Sequence, residues 1–382
     1  MAESQVENDK IQKRILLNNV FTPATPIEKK RFFAGRIDQI GEVIDAAMER
    51  GRHAIIYGER GVGKTSLANI ISEFLPDPFV LRVAADTATD FNMLWRKIFR
   101  RMFITQKQER LGFIPEKSEN VLPISDILPN DIELKVDDIL VIFERYGSPT
   151  ILILDEFDRV SDPRTKTHIA DTIKAFSDTK REITIVIVGV ANTVTELIGQ
   201  HPSIERNIKQ IKLQRMSESE LIEIVDNGLT VLEMKTNGAI KEKIARLSQG
   251  FPHFTHLLAK YSASEAIVHE RQIINELDLS IAIEKAVDDT QESIRVAYQK
   301  ATIATKQETL FPLVLLAAAI APLDEFNSFR ASDLVEPLRI LSGREEIDVP
   351  YFTYHLGKLS SEERGFIFEK LGTAKRHRYR FS

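Results

Sequence analysis

The sequence predicts an α/β fold: a five-stranded parallel sheet with helices on both faces, then a helical region and a small C-terminal domain. Three observations carry this. Apolar runs such as Ile151-Leu152-Ile153-Leu154 and Ile183-Thr184-Ile185-Val186-Ile187-Val188 lack the alternation of a half-exposed strand, so they belong in a sheet covered on both sides. Segments between the runs repeat apolar residues every three or four positions, the helical period. One run, His53-Ala54-Ile55-Ile56-Tyr57, passes through Gly58-Glu59-Arg60-Gly61-Val62-Gly63-Lys64-Thr65 into a helix marked by Leu67, Ile70, Ile71, Phe74 and Leu75, with Pro76 as its stop.

That glycine loop fits G-x-x-x-x-G-K-[ST] without a mismatch, and strand, loop, helix is the order a phosphate cradle needs. Glycines let backbone N–H groups turn toward phosphate oxygens, and the helix N-terminus adds partial positive charge. Residues Gly58 to Ser66 therefore form the expected ATP or ADP site, with Lys64 reaching the β- and γ-phosphates and the Thr65 hydroxyl ligating Mg²⁺.

At 382 residues the chain has room for two or three domains. The absence of cysteine excludes a disulfide framework, a thiolate nucleophile and cysteine-ligated zinc. The polar start, Met1 to Arg14, has no signal-peptide core, and Leu310 to Ala321 contains Pro312 and is too short to span a bilayer. A cytoplasmic protein without membrane contact is expected. The net charge of −5 argues against general polyanion binding, so any nucleic-acid contact needs a local patch.

In chain order, residues 1–20 read as a flexible lead-in and 21–214 as the nucleotide-binding domain. Phe79-Val80-Leu81-Arg82-Val83 is the second strand. Phe91 to Met102 is an amphipathic helix whose Trp95 is a core residue. Residues 104–131 look irregular, and the helix from Leu134 to Tyr146 ends at Gly147-Ser148-Pro149. The run Ile151 to Leu154 ends in Asp155-Glu156, at the carboxyl edge where open α/β sheets bind ligands. Asp155 would hold Mg²⁺ through water, and Glu156 would act as base on an attacking water. The strand from Ile183 leads to Asn192, placed either to orient that water or touch the γ-phosphate, or simply to make a turn. Before the fifth strand, Ile208 to Leu213, Arg206 projects either toward a neighbouring subunit or into solvent.

With these pieces placed, residues 20–300 resemble the AAA+ ATPases, closest to origin-recognition-type replication initiators and the related STAND ATPases. Gly58–Thr65 resembles Walker A and Ile151–Glu156 resembles Walker B with its catalytic glutamate. Asn192 matches the first sensor and Arg206 the arginine finger. Phe33-Ala34-Gly35-Arg36 resembles the segment that covers adenine in those groups, which assigns Phe33 and Arg36 to the nucleotide. The resemblance also implies a small helical lid with a linker helix, 215–303, opened at Met216-Ser217-Glu218-Ser219-Glu220 by a capping-type start. In that lid Gly250-Phe251-Pro252-His253 puts Pro252 and His253 where the family has its second sensor, usually an arginine. A long helical pattern, Ile281 to Ala301, is expected to join lid to tail.

Residues 304–382 read as three helices and a β-hairpin, resembling a winged helix. Alternation in His377-Arg378-Tyr379-Arg380-Phe381 sets Tyr379 and Phe381 on one face and Arg378 and Arg380 on the other. With Lys375 and Arg376 these form a basic patch suited to DNA phosphates. The third helix offers only Lys358 beside Tyr351, Tyr354 and His355, a weak set for reading bases. Two functions stand: an ATP-hydrolysing switch that binds or assembles on DNA, and a regulatory ATPase whose winged helix meets protein. Either could form a nucleotide-dependent homo-oligomer.

Overall fold

A computed structural model describes residues 2–27, 29, 32–75, 79–109, 117–129, 131–146, 150–179, 182–199, 201–289, 292–303, 310–324, 328–372 and 377–381. The chain divides into two compact units, residues 1–286 and 287–382.

The first unit is built on five parallel strands: β1 (His53–Gly58), β2 (Phe79–Ala84), and, after a ribbon of two strands β3 (Phe103–Glu109) and β4 (Lys117–Pro123), β5 (Thr150–Asp155), β6 (Ile183–Val190) and β7 (Ile208–Leu213). Their order across the sheet is β2-β5-β6-β1-β7. The β1 and β5 strands that carry the glycine loop and the Asp-Glu pair are therefore separated by β6. All six residues of β5 are buried, as a run without polar alternation requires.

Helix α1 (Ala2–Val20) opens the chain, and α2 (Ile37–Met48) and α3 (Lys64–Phe74) flank one sheet face. There Ile40, Val43, Leu67, Ile70 and Ile71 pack against Ile56, Ile153 and Val188. Helices α4 (Phe91–Phe99), α5 (Val136–Tyr146) and α6 (Pro163–Asp178) cover the other face with a large aromatic core. Trp95 is fully buried at its centre, with Phe143 and Phe176 edge-on at 5.9 and 6.2 Å, so the tryptophan is a core residue. A short α7 (Val194–Ile198) follows β6. The helical remainder of the unit is α8 (Glu218–Val231), α9 (Gly238–Ser248), α10 (Pro252–Val268) and α11 (Glu276–Asp288). Ser217 starts α8 with a full capping box, its hydroxyl facing the Glu220 N–H and the Glu220 carboxylate facing its own N–H.

Three expectations are corrected here. The expected flexible lead-in is helical: α1 ends with Leu17 and Val20, followed by Phe21, buried against residues of α8, α9 and α10, so packing supplies what its polar sequence does not. The stretch read as irregular contains the β3–β4 ribbon, antiparallel with Ile104 opposite Leu122. The long helix expected from Ile281 to Ala301 is two helices, α11 and α12 (Glu292–Thr302), and the second falls in the C-terminal unit.

That unit continues with α13 (Phe311–Ile320), α14 (Val335–Ser342), α15 (Val349–Leu359) and the ribbon β8 (Phe368–Leu371) and β9 (Arg378–Phe381). Phe311, Leu338, Phe352, Leu356, Phe368 and Tyr379 form its core. Phe329 adds a bridge to Tyr379 as a third, one-residue strand. Among the described residues, no helix is long and apolar enough to cross a membrane.

Two buried histidines make the fold sensitive to acid. His53 Nδ1 accepts the Ile185 N–H at 2.9 Å; its Nε2 lies 3.1 Å from Ser177 Oγ, whose own hydroxyl donates to the Ile173 carbonyl. This bonding fits only the neutral ring, and burial lowers the His53 pKa from 6.5 to about 4. His256 in α10 is also buried, with Phe21 edge-on at 5.8 Å, and burial again lowers its pKa to about 4. The unfolded chain takes up protons below about 6.5 that the folded chain refuses until about 4. Stability should therefore fall as pH drops through that window, by on the order of 3 kcal/mol per histidine at most. Thermal unfolding from pH 7.5 to 4.5 measures it; a flat midpoint would show that neither ring is held neutral.

Candidate nucleotide site

The site forms at the carboxyl edge of β1, β5 and β6. Gly58 adopts φ 151° against β7, where a Cβ would sit 2.2 Å from the Leu213 carbonyl oxygen, so no other residue fits. Gly63 caps α3 at φ 94°, turning the chain so that Lys64 begins the helix. Lys64 is buried, its Nζ donating to the carbonyls of Gly58 at 3.1 Å and Glu59 at 2.6 Å. Burial pulls its pKa from 10.5 to about 8 against the opposing pull of Asp158, Asp155 and Glu59. Anionic phosphates would supply the countercharge that this ammonium needs. Val62 is buried under the loop, while Gly61 and Arg60 are exposed on it.

The Thr65 hydroxyl lies 3.5 Å from Asp155 Oδ1, so the loop and the end of β5 meet where the sequence set both as metal ligands. Two hard oxygens from one hydroxyl and one carboxylate suit Mg²⁺, which takes few protein ligands and relies on phosphates and water for the rest. Among the described residues no group of three or more His, Cys, Asp or Glu could hold a metal. Asp155 Oδ1 also accepts the Glu156 N–H at 2.8 Å. Its Oδ2 is held by Arg82 of β2 at 2.5 Å, a partner that sequence reasoning passed over.

Glu156 sits just outside the strand in a left-handed conformation, φ 52°, which a non-glycine residue adopts only when its surroundings impose it. Its carboxylate is half-exposed and paired with Arg159 at 2.8 Å. Asp158 Oδ1 accepts the Val190 N–H at 2.8 Å, and the Ala191 N–H reaches the Gly58 carbonyl at 3.4 Å. These bonds bring the Glu156 turn, the Asn192 turn and the loop to one edge. Asn192 is exposed, its backbone N–H bonded to Glu196. It also lines an open pocket of about 500 Å³ with Tyr57, His201, Glu205 and Gln210. Arg206 is exposed on the turn before β7.

The segment ahead of α2 straps across this edge. The Ile27 N–H donates to Ser66 Oγ at 3.1 Å, and its carbonyl accepts from Asn69 at 3.3 Å. Ile27, Phe33 and Phe251 are half-buried apolar groups against the α3 core. Arg36 is built into the interior. It is 7 % exposed, its guanidinium bonds the Gln214 carbonyl through one arm, its backbone N–H meets Glu220 at 3.2 Å, and desolvation lowers its pKa. Its Nε is buried without a hydrogen-bond partner.

The helical region meets the loop at a second seam. Pro252 begins α10 and closes on Gly63, 3.8 Å from where a Cβ there would stand. Beside it, His253 Nδ1 meets the Pro23 carbonyl at 2.6 Å. The cation at this seam is Arg215, which follows β7. It pairs with Glu59 of the glycine loop at 3.1 Å and lies 4.4 Å over the Phe251 ring, while Phe251 covers Gly61. A charged residue just past the last strand, on the loop's own sheet edge, was the signal available.

Strand order β2-β5-β6-β1-β7, with the phosphate loop after β1 and the carboxylates after β5, decides the architecture. The fold is that of an AAA+ domain. Residues 47–197 match the family model described as "AAA domain". The chain is similar in structure to the Aeropyrum pernix ORC2 protein, solved with ADPNP and ADP, at TM-score 0.52 and 13 % identity, covering 95 % of this chain and 93 % of that one. It is also similar to Cdc6p from Pyrobaculum aerophilum (TM-score 0.48, 15 % identity, 95 % and 93 % covered) and to Thermotoga maritima RuvB (0.47, 15 %, 91 % and 92 %). No curated protein matches at a significant level. Within this fold, the loop, the Asp155-Glu156 edge and the seam with α10 are brought together at one end of the sheet.

Proposed function

We propose that the protein is an ATP-hydrolysing switch in which the bound nucleotide sets the position of the lid. The observation that carries this is the seam between Arg215, Phe251 and Pro252 and the glycine loop: a change in phosphate occupancy acts directly on the lid's contacts. Lys64 would bind the terminal phosphates. Thr65 and Asp155 would hold Mg²⁺, which neutralises charge on those phosphates when bound. Glu156, once released by Arg159, would take a proton from the attacking water. Asn192 shares the edge, within reach of that water. Phe33, Ile27 and Phe251 supply the apolar wall for a base. Arg206, on the outer surface, would serve the site of a neighbouring copy.

The helices and ribbon of the C-terminal unit support reading it as a winged helix, and two outputs compete for it. DNA binding needs free cations, and three of the described ones on the expected faces are engaged, while Lys370 of β8 is exposed. Arg378 pairs with Asp324 at 2.8 Å, Arg380 with Glu369 at 2.5 Å, and Lys358 with Glu363. Lys375 and Arg376, the rest of the expected patch, lie outside the described residues. The outer face of α15 shows Tyr351 and Tyr354. Paired arginines and exposed aromatics favour a protein partner over phosphate backbone.

Retention on DNA and mass in solution, each measured with ATP, ADP and neither, separate the outputs. The protein-partner reading expects no retention even at low salt, and an ATP-dependent assembly if Arg206 acts across copies. Retention that falls steeply with salt, by about 0.9 log units of affinity per log unit of salt for each phosphate contact, would return the output to DNA.

A further inference from the structure

We propose that Arg82 is a built-in competitor for the metal position: it holds the Asp155 carboxylate when no metal is bound and must yield it when Mg²⁺ arrives with ATP. The proposal rests on the nucleotide reading of Gly58–Thr65. β2 is the edge strand of the sheet, and its residues alternate: Leu81 and Val83 enter the aromatic core, while Val80 and Arg82 face α3. An arginine at such a position needs partners, and it has two. One arm reaches Asn69 Oδ1 of α3, and the other holds Asp155 Oδ2 at 2.5 Å.

The pair is asymmetric. Asp155 is 2 % exposed and fixed by the end of β5, whereas Arg82 is 36 % exposed at the open edge of the sheet. Asp155 Oδ1 faces Thr65 and the Glu156 N–H, which leaves Oδ2 as the oxygen the guanidinium neutralises. A divalent ion between Thr65 and Asp155 would stand beside that guanidinium in a poorly solvated site, and the two like charges repel. The carboxylate cannot move to relieve this. The long, half-exposed arginine can, by swinging to solvent along the strand edge.

The consequence is selectivity. Without metal, Arg82 masks a carboxylate that would otherwise repel phosphate, so ATP alone is tolerated. With metal, part of the binding energy goes into displacing Arg82. Removing the arginine should therefore weaken metal-free ATP binding and strengthen Mg·ATP binding.

The test is the ratio of ATP dissociation constants without and with metal, in EDTA and in excess Mg²⁺, read by calorimetry on the full chain and on Arg82→Gln. The variant's ratio should exceed the wild type's by about fivefold, the upper end of what an exposed ion pair is worth. Its metal-free melting temperature should also be lower. Arg82→Lys keeps a charge but not the two-armed hold, so its ratio should rise less; if Arg82→Gln does not fold, this variant carries the test. A ratio that is unchanged or smaller would overturn the proposal, because Arg82 would then be structural or would stay in the loaded site. Wild-type protein that binds no ATP in either buffer would overturn the nucleotide reading, and the inference with it.

Discussion

Glu156→Gln should bind ATP as the wild type does and hydrolyse it about 10²–10⁴-fold more slowly. The substitution keeps shape and hydrogen bonding but removes the ability to take a proton from water. The left-handed backbone at Glu156 is imposed by the turn that follows β5, with Asp158 anchored on Val190, and glutamine there alters neither. The geometry adds a second expectation. Arg159 holds the Glu156 carboxylate at 2.8 Å, and in the proposed mechanism that pair would open before the carboxylate faces the phosphates. Glutamine holds an arginine less firmly, but an exposed pair is worth little, so the variant's stability should barely change. Single-turnover hydrolysis beside equilibrium ATP binding separates the two quantities. Wild-type turnover in Glu156→Gln would remove Glu156 from the chemistry.

The sheet and the loop were legible because they follow from local rules. Buried parallel strands must be apolar throughout, and a loop that wraps phosphates must carry glycine where the backbone turns left-handed, as Gly63 does. The placement of Thr65, Asp155 and Glu156 at one sheet edge was legible for the same reason: each stands at the end of an element whose type the pattern announces. What escaped was set by pairing across the fold. Nothing local says that Arg82 will meet a carboxylate from the neighbouring strand, or that Arg215 rather than His253 will lie against the loop. Their partners, Asp155 and Glu59, are 73 and 156 residues away in sequence. Helix α1 was hidden because its apolar positions are few and its stability comes from the lid it packs on. In the C-terminal ribbon, local alternation sets faces but not partners. Alternation correctly set Arg378 and Arg380 apart from buried Tyr379, but the acids that pair with them, Asp324 and Glu369, lie on other segments.

The largest expected effect belongs to Lys64. Its ammonium is buried, held by two loop carbonyls and already depressed in pKa by desolvation, so it is poised for a stronger countercharge than those carbonyls offer. Lys64→Ala would leave the terminal phosphates facing carbonyl oxygens and the nearby carboxylates of Asp155 and Asp158. Truncating one side of a buried charge pair costs about 2–5 kcal/mol, roughly 30- to 4,000-fold in affinity. The fold should survive, because β1 and α3 are held by Ile55, Ile56, Leu67 and Ile70 rather than by the lysine. Adenosine, which lacks phosphates, should bind both proteins alike. Calorimetric titration of ATP and of adenosine into wild type and Lys64→Ala tests the central claim most directly. The account predicts that ATP affinity collapses in the variant while adenosine affinity holds; equal ATP affinity in the two proteins would contradict it.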